Sequence, residues 1–456
     1  MQKPVRHPAS YRDPSGFIFN YNGQVYRQVN QLYKRDFDKC LQSGLYEHLI
    51  SSNKLISHQI LAENLNQSGE WYTTLKPDNI PFIAYPYEWC FEMWKDAALL
   101  TLDITCEAIK YGMLLKDASA YNLQWHRGRM MFIDSLSFEV YDTSKPWIAY
   151  KQFCEHFLAP LALMHYLKTP IQNMFLGYAN GIPVTVAKKF LPFRSKLNLH
   201  TFLHLHFHGK QQSKKQVGSQ STSPFSDSKL KNILSSLYNA INDFRFDDQT
   251  GVWSEYYKEA STRINYLDIK KDIVLNWVEK MSIKTVIDLG ANEGEFSETL
   301  SFRKIFTICV DFDHYSINKI YKKSKTLNNS FLYPILMDLT QPSPGIGVNN
   351  IERSSFIERT SMDLVLALAL IHHLVIGKNL SFDDIAILFS NLGKNLIVEY
   401  IPKHDEMIQL MFKSKNDIYH WYNEEAFLNI FKKHYEVIEN AEIGKSGRKL
   451  FLMQRL

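Results

Sequence analysis

From Thr285 onward, short apolar runs alternate with amphipathic stretches so regularly that few folds can absorb the pattern. The pattern predicts strands over residues 285–288, 306–311, 331–336, 362–369 and 395–399, and helices over 295–302, 314–324, 382–392 and 424–434. Strands separated by helical crossovers pair in parallel, and a parallel sheet needs cover on both faces. This part of the chain is therefore read as α/β: a doubly wound, mainly parallel sheet.

In such sheets ligands sit at the carboxyl ends of the strands. The first run leads into Asp288, Gly290, Asn292 and Gly294, a strand, a glycine-containing turn and a helix start. Gly290 and Gly294 permit positive φ and a close approach of backbone to ligand. Asp288 offers a carboxylate to a cationic centre or to the loop itself. Asp311 ends the second strand, where a carboxylate can accept both hydroxyls of a ribose. Asp338 follows the third, placed to accept from an adenine amino group while Leu339 packs on the ring. The fourth strand runs toward His372 and His373. A dinucleotide site would space its glycines G-x-G-x-x-G, and that spacing is absent.

On these residues the chain from about Leu267 to Leu456 resembles the class I S-adenosylmethionine-dependent methyltransferases, whose sheet is Rossmann-like. The resemblance implies S-adenosylmethionine as cofactor. It places Asp288, Gly290 and Gly294 near the methionine part, Asp311 at the ribose, and Asp338 with Leu339 at the adenine. Asn292 stands where a middle glycine is common, and Asn also visits left-handed conformations. Residues 13–16, 26–30, 341–345, 366–374 and 398–403, with Glu352, Arg353 and Arg359, are similar to a bacterial subgroup that includes nodulation-associated methyltransferase-like proteins. The implied activity is methyl transfer to a small-molecule or glycan-type acceptor. The alternatives are a bifunctional phosphotransferase and methyltransferase, or a non-catalytic module that binds S-adenosylmethionine.

Methyl transfer from a sulfonium is an in-line displacement, so alignment and exclusion of water dominate, and a base helps when the acceptor is a hydroxyl. His372, His373 and Glu399 are the candidates for catalysis, with Tyr400 and Lys403 as further acceptor contacts. Residues 342–360 form a long loop, which predicts a lid or an acceptor-binding role.

The earlier half reads as α+β. Strands over 17–20 and 24–29 flank Asn22-Gly23, suited to a type I′ turn. A strand is expected over 81–85, a helix over 97–113, a strand over 130–133, and a buried helix over 150–166 with a kink at Pro160. Asp117, then Asn122, then a strand ending in Asp134 resemble the catalytic loop and metal-binding acid of aminoglycoside phosphotransferase-like kinases. That resemblance implies that Asp117 orients a hydroxyl while Asn122 and Asp134 hold magnesium. Lys116 stands where the family has His-Gly, no glycine-rich loop is evident, and Arg27 is the nearest cation for phosphates. Residues 209–228 are polar and aperiodic and read as a linker. The expected domains are thus 1–208, possessing this kinase-like pattern, and 229–456, the methyltransferase part, with helices over 230–244 and 267–281 as its lead-in.

Composition narrows the partners. A formal charge of +5 over 456 residues gives no case for a nucleic-acid partner. Five scattered cysteines form no disulfide or zinc pattern, which points to a reducing cytoplasm. The apolar runs are too short to span a bilayer, so no membrane partner is expected. His200, His204, His206 and His208 would place three imidazoles on one face of a strand, but no carboxylate or cysteine accompanies them, and no metal is expected.

Overall fold

The computed structural model describes residues 3–207, 226–246, 266–413 and 415–456. They divide into two units, Met1–Asp247 with Gly345–Ser354, and Asp248–Pro344 with Ser355–Leu456.

The first unit opens with an antiparallel sheet of β1 (Val5–Arg6), β2 (Gly16–Tyr21), β3 (Gln24–Asn30), β4 (His58–Leu61) and β5 (Trp71–Pro77), in the order β1-β2-β3-β5-β4. The β2–β3 turn has φ of 48° at Asn22 and 74° at Gly23, the left-handed pair that a tight hairpin requires. Helices α1 (Lys34–Gln42), α2 (Leu45–Ser51) and α3 (Phe91–Lys110) follow. Two small antiparallel pairs come next: β6 (Met113–Leu115) with β9 (Phe138–Val140), and β7 (Leu123–His126) with β8 (Arg129–Phe132). The strand expected over 81–85 does not form. Pro81 and Pro86 lack ladder donors, and side chains take up the amides instead: Ala84 N donates to Gln124 and Tyr85 N to Glu88. The kink expected at Pro160 is a wide helical turn over Cys154–Leu158 that runs into α4 (Ala159–Leu167).

Three further expectations change. Residues 199–207 are helical rather than a strand, so the histidines do not share one strand face. His200 and His204 bond Ser236, and His206 bonds Ser195; His208 lies outside the described residues. Most of the linker, residues 209–225, also lies outside them. Its end does not: Ser226 caps α5 (Asp227–Asp243), which packs against α3 within the first unit rather than leading into the second. The reason is its apolar stripe, Leu230, Leu234, Leu237 and Ile241, together with Lys95, which donates to the carbonyls of Asn242 and Phe244 at 2.9 Å.

The long loop supplies the third. Gly345–Ser354 belongs to the first unit, closed on itself by an Ile346–Arg353 bridge. Buried Glu352 accepts from Tyr11 at 3.0 Å and pairs with Arg12 at 3.1 Å, and Arg353 lies over the Tyr121 ring at 4.1 Å. This segment is an anchored part of that unit, not a free lid.

The second unit begins with α6 (Tyr266–Lys280) and continues through β10 (Thr285–Leu289), α7 (Glu295–Phe302), β11 (Phe306–Asp311), α8 (His314–Thr326), β12 (Leu332–Leu336), β13 (Met362–Ala367), α9 (Phe382–Leu392) and β14 (Gly393–Tyr400). α10 (Glu406–Phe412), α11 (Glu424–Phe431), β15 (Tyr435–Glu442) and β16 (Lys449–Arg455) complete it. The sheet order is β12-β11-β10-β13-β14-β16-β15. The first five strands are parallel; β16 runs antiparallel to both neighbours. β10, β11 and β13 are buried almost throughout, as strands covered on both faces must be. Strand order reverses at β10, between β11 and β13, and that switch point opens a crevice at the carboxyl ends.

Candidate functional site

A cavity lies at this switch point, lined entirely by second-unit residues. Asp288, Gly290, Asn292, Asp311, Asp338 and Leu339 all line it, as does His373. Parallel register explains the convergence. Asp288 pairs with Cys309 and Asp311 with Leu336, so successive strands end at one level.

The turn after β10 has the backbone that its sequence demanded. Gly290 has φ of 70°, and a Cβ there would come within 3.0 Å of Leu370. Asn292 has φ of 48°, the left-handed state open to Asn. Gly294, with φ of 82°, is the cap of α7 and supports the turn without lining the cavity.

Each acid has a distinct set of partners. Asp288 accepts from Ser297 Oγ at 2.6 Å, and burial pushes its carboxyl up to about 6. Asp311 accepts from the amides of Asn292 and Asp313, each at 2.8 Å, and burial likewise pushes it up to about 6. Burial acts the same way on Asp338, but hydrogen bonds from Thr340 and Lys378 outweigh it and hold this carboxyl below its ordinary range. Asp338 stays ionised, whereas Asp288 and Asp311 can change charge between weakly acidic and neutral pH.

The histidines part company. His373 lines the cavity, and burial, with Arg448 nearby, lowers its pKa to about 4. His372 is fully buried beside it, rings 4.0 Å apart, and does not line the cavity. Burial lowers its pKa well below the ordinary imidazole value, and neither ring nitrogen has a hydrogen-bond partner among the described residues. Both rings are neutral at pH 7.

Glu399, Tyr400 and Lys403 do not reach the cavity. Glu399 is wholly buried, paired with Lys270 at 2.6 Å and Arg448 at 3.7 Å, and it accepts from Tyr266. Tyr400 stacks on Tyr422 and Phe427, and Lys403 pairs with Asp417 at 2.7 Å. Glu399, Tyr400 and Lys403 thus lie apart from the cavity that gathers the other candidates. Tyr266, Lys270, Phe312 and Met411 line the cavity and were missed. One signal for Lys270 was legible. It sits on the buried stripe of α6 with Tyr266, Val274, Trp277 and Val278, an ionisable group where the helix is otherwise apolar.

In the first unit, Asp117, Asn122 and Asp134 do come together. Asp117 accepts from Ser119 N and from Gln152 Nε2 at 2.7 Å, and the charge of Asp134 adds to burial in raising its pKa. The amide of Ile133 donates to Asn122 O. Asp134 pairs with Arg27 at 2.6 Å. Among the described residues no group of three or more His, Cys, Asp or Glu side chains could hold a metal ion.

No family model matches the chain. Among solved structures, the N-methyltransferase NodS from Bradyrhizobium japonicum WM9 aligns with 42% of this chain and 97% of its own, at 12% identity and a TM-score of 0.32. The magnesium protoporphyrin IX methyltransferase ChlM from Synechocystis PCC 6803 aligns with 42% of this chain and 84% of its own, at 14% identity and a TM-score of 0.31. The bifunctional kinase-methyltransferase WbdD aligns with 42% of this chain but only 39% of its own, at 15% identity and a TM-score of 0.30. Scores this low leave the fold to be read from the chain's own sheet. The sequence relationship is of another order: nodulation protein NoeA of Rhizobium meliloti (strain 1021) is 30% identical over 465 residues, spanning 99% of this chain and 97% of the relative. Identity of that extent, over 99% of the chain, places it in the NoeA family.

Proposed function

We propose that the second unit binds S-adenosylmethionine and transfers its methyl group to a small-molecule or glycan-type acceptor. The observation that carries this reading is the arrival of Asp288, Asp311 and Asp338 at one cavity on the switch point of a doubly wound sheet.

The donor set suits the cofactor. A carboxylate offers about four lone-pair sites. Asp311 uses one on each oxygen for backbone amides, which leaves one on each for a ribose hydroxyl. Asp338 is fixed and ionised by Thr340 and Lys378, able to accept from an adenine amino group, with Leu339 and Phe312 as apolar walls. Asp288 supplies the carboxylate toward a cationic centre. Gly290 keeps the wall free of side-chain bulk.

When bound, the cofactor supplies a methyl group on a sulfonium. The chain has to align a nucleophile with it and exclude water. His373 is neutral and can accept a hydrogen bond from an acceptor hydroxyl, which makes it a positioning group first. Calorimetry on the full chain tests the reading. Binding of S-adenosylmethionine is expected, with none for NAD, and Asp311→Ala should weaken it by about tenfold or more. Absence of heat at millimolar S-adenosylmethionine would sink it. Incubation with methyl-labelled cofactor and cell extract then identifies the acceptor by the product that gains label.

A further inference from the structure

We infer that residues 188–207 of the first unit form a docking surface for an anionic lipid bilayer. The inference is independent of the methyl-transfer reading, and it runs against the expectation that this chain has no membrane partner. No helix among the described residues is long and apolar enough to cross a membrane; the surface described here would lie on one.

The first observation is charge. Between His156 and Ser226 there is no Asp or Glu, while there are eight Lys or Arg. The whole chain has a formal charge of only +5, so this one stretch holds more than the entire net charge. Lys188, Lys189, Arg194 and Lys196 fall within 9 residues of one another in it.

The second is exposed apolar area among those cations. Phe190 is 57% exposed, Phe193 71%, Leu197 76% and Leu199 65%. Scattered single apolar residues on a surface need no explanation, but four within ten positions do. They are not loose. Three short helical turns, Val184–Phe190, Phe193–Lys196 and Leu199–Thr201, pack on the wide turn Phe202–Phe207. Ser195, Thr201, His204 and His206 point inward and are buried, and Ser195 bonds His206 at 2.8 Å. The chain thus fixes one side of the segment in the unit and holds the apolar side chains outward.

Charge and shape together choose the occupant. A basic segment with no acid of its own and with Phe and Leu projecting from it matches the headgroup boundary of an anionic bilayer, where apolar tips enter the acyl region and Lys and Arg meet phosphates. A second copy of this chain fits poorly, since a two-fold contact would set Lys189, Arg194 and Lys196 near their own like charges. A nucleic acid would use flat rings for stacking, and Leu197 and Leu199 have none.

The test is co-sedimentation of the full chain with vesicles of equal parts phosphatidylglycerol and phosphatidylcholine, and with phosphatidylcholine alone. The chain should pellet with the anionic vesicles, and salt should release it. The variant Phe193→Ser, Leu197→Ser, Leu199→Ser changes only exposed positions and should lose anionic partitioning by about tenfold or more. The variant Lys189→Gln, Lys196→Gln should narrow the gap between the two vesicle types. Failure to pellet with anionic vesicles would overturn the inference. So would undiminished pelleting of the apolar triple variant, which would assign the binding to charge elsewhere. A concentration-dependent dimer in size-exclusion chromatography, abolished by the same triple variant, would overturn it in favour of self-association.

Discussion

Asp288 and Asp311 keep carboxyls whose pKa burial raises to about 6, and this has a thermodynamic sign. Acids in an unfolded chain titrate near 4, so between about 4 and 6 the folded protein holds protons that the unfolded chain has released. Stability is therefore lost as pH rises through that window. Each acid costs the empty protein about 3 kcal/mol at neutral pH. Asp288→Asn keeps an oxygen to accept from Ser297, and thermal unfolding should show it more stable than the parent at pH 8 and unchanged at pH 4. A lower Tm at pH 8 would show that the carboxylate is offset by Lys270. By the same titrations, binding of S-adenosylmethionine should strengthen as pH rises through about 6. His373 behaves differently: with a pKa near 4 it does not change charge between pH 6 and 8. His373→Gln should reduce kcat by about tenfold with a flat ratio to the parent across that range; a ratio that changes tenfold with pH would mark a titrating base. The three acids were legible in the sequence because each ends a strand, and strand ends are where an α/β sheet gathers ligands. Glu399 also ends a strand, and it misled for the same reason. Only the fold shows that its partners, Lys270 and Arg448, come from α6 and from the residue before β16 and take it behind the cavity wall.

Those partners make Glu399 a junction between elements. Lys270 on α6, Glu399 on β14 and Arg448 just before β16 form a buried ionic chain, and Arg448 continues it to Asp405 with two bonds at 2.9 Å. A buried pair contributes little net stability over a well-packed apolar substitute, but removing one partner strands the others. Glu399→Ala should therefore destabilise the protein by about 3 to 5 kcal/mol in urea titration. Adding Lys270→Met to Glu399→Leu should recover much of the loss. Similar destabilisation in both variants would mean that side-chain volume, not charge, is what the site needs. Elements with strong periodicity were readable: α6, the β10–β11–β12 run and the α9–β14 pair lie close to their expected bounds. Elements whose fate depended on a neighbour were not. Alternating histidines read as a strand, yet residues 199–207 coil because Ser195, Ser236 and Tyr150 offer the imidazoles partners inside a helical layer. Likewise 81–85 looked apolar enough for a strand but sits between prolines that deny it a ladder.

At the scale of the whole chain, the two units are not two sequence halves. Gly345–Ser354 lies within the methyltransferase-like stretch of sequence but belongs to the first unit, and the cavity draws only on the second. If the units unfold separately, a calorimetric scan shows two transitions, which can be assigned by perturbing each unit alone. Ligand at about 100 times its Kd adds about 2.7 kcal/mol to whatever unfolds with the cavity. S-adenosylmethionine should raise the second unit's transition and leave the other in place. Glu352 is buried among first-unit groups, accepting from Tyr11 and paired with Arg12 and Arg353. Glu352→Ala leaves Arg353 over Tyr121 without its counter-charge and should cost about 2 kcal/mol. For a unit of this size that is a fall of about 4 to 8 °C in Tm. The expected result is a drop in the transition that the cofactor does not move, although in chain order residue 352 falls between β12 and β13. If Glu352→Ala instead lowers the cofactor-sensitive transition, or if both perturbations shift a single peak, the units unfold as one body and the assignment of Gly345–Ser354 to the first unit has no thermodynamic meaning.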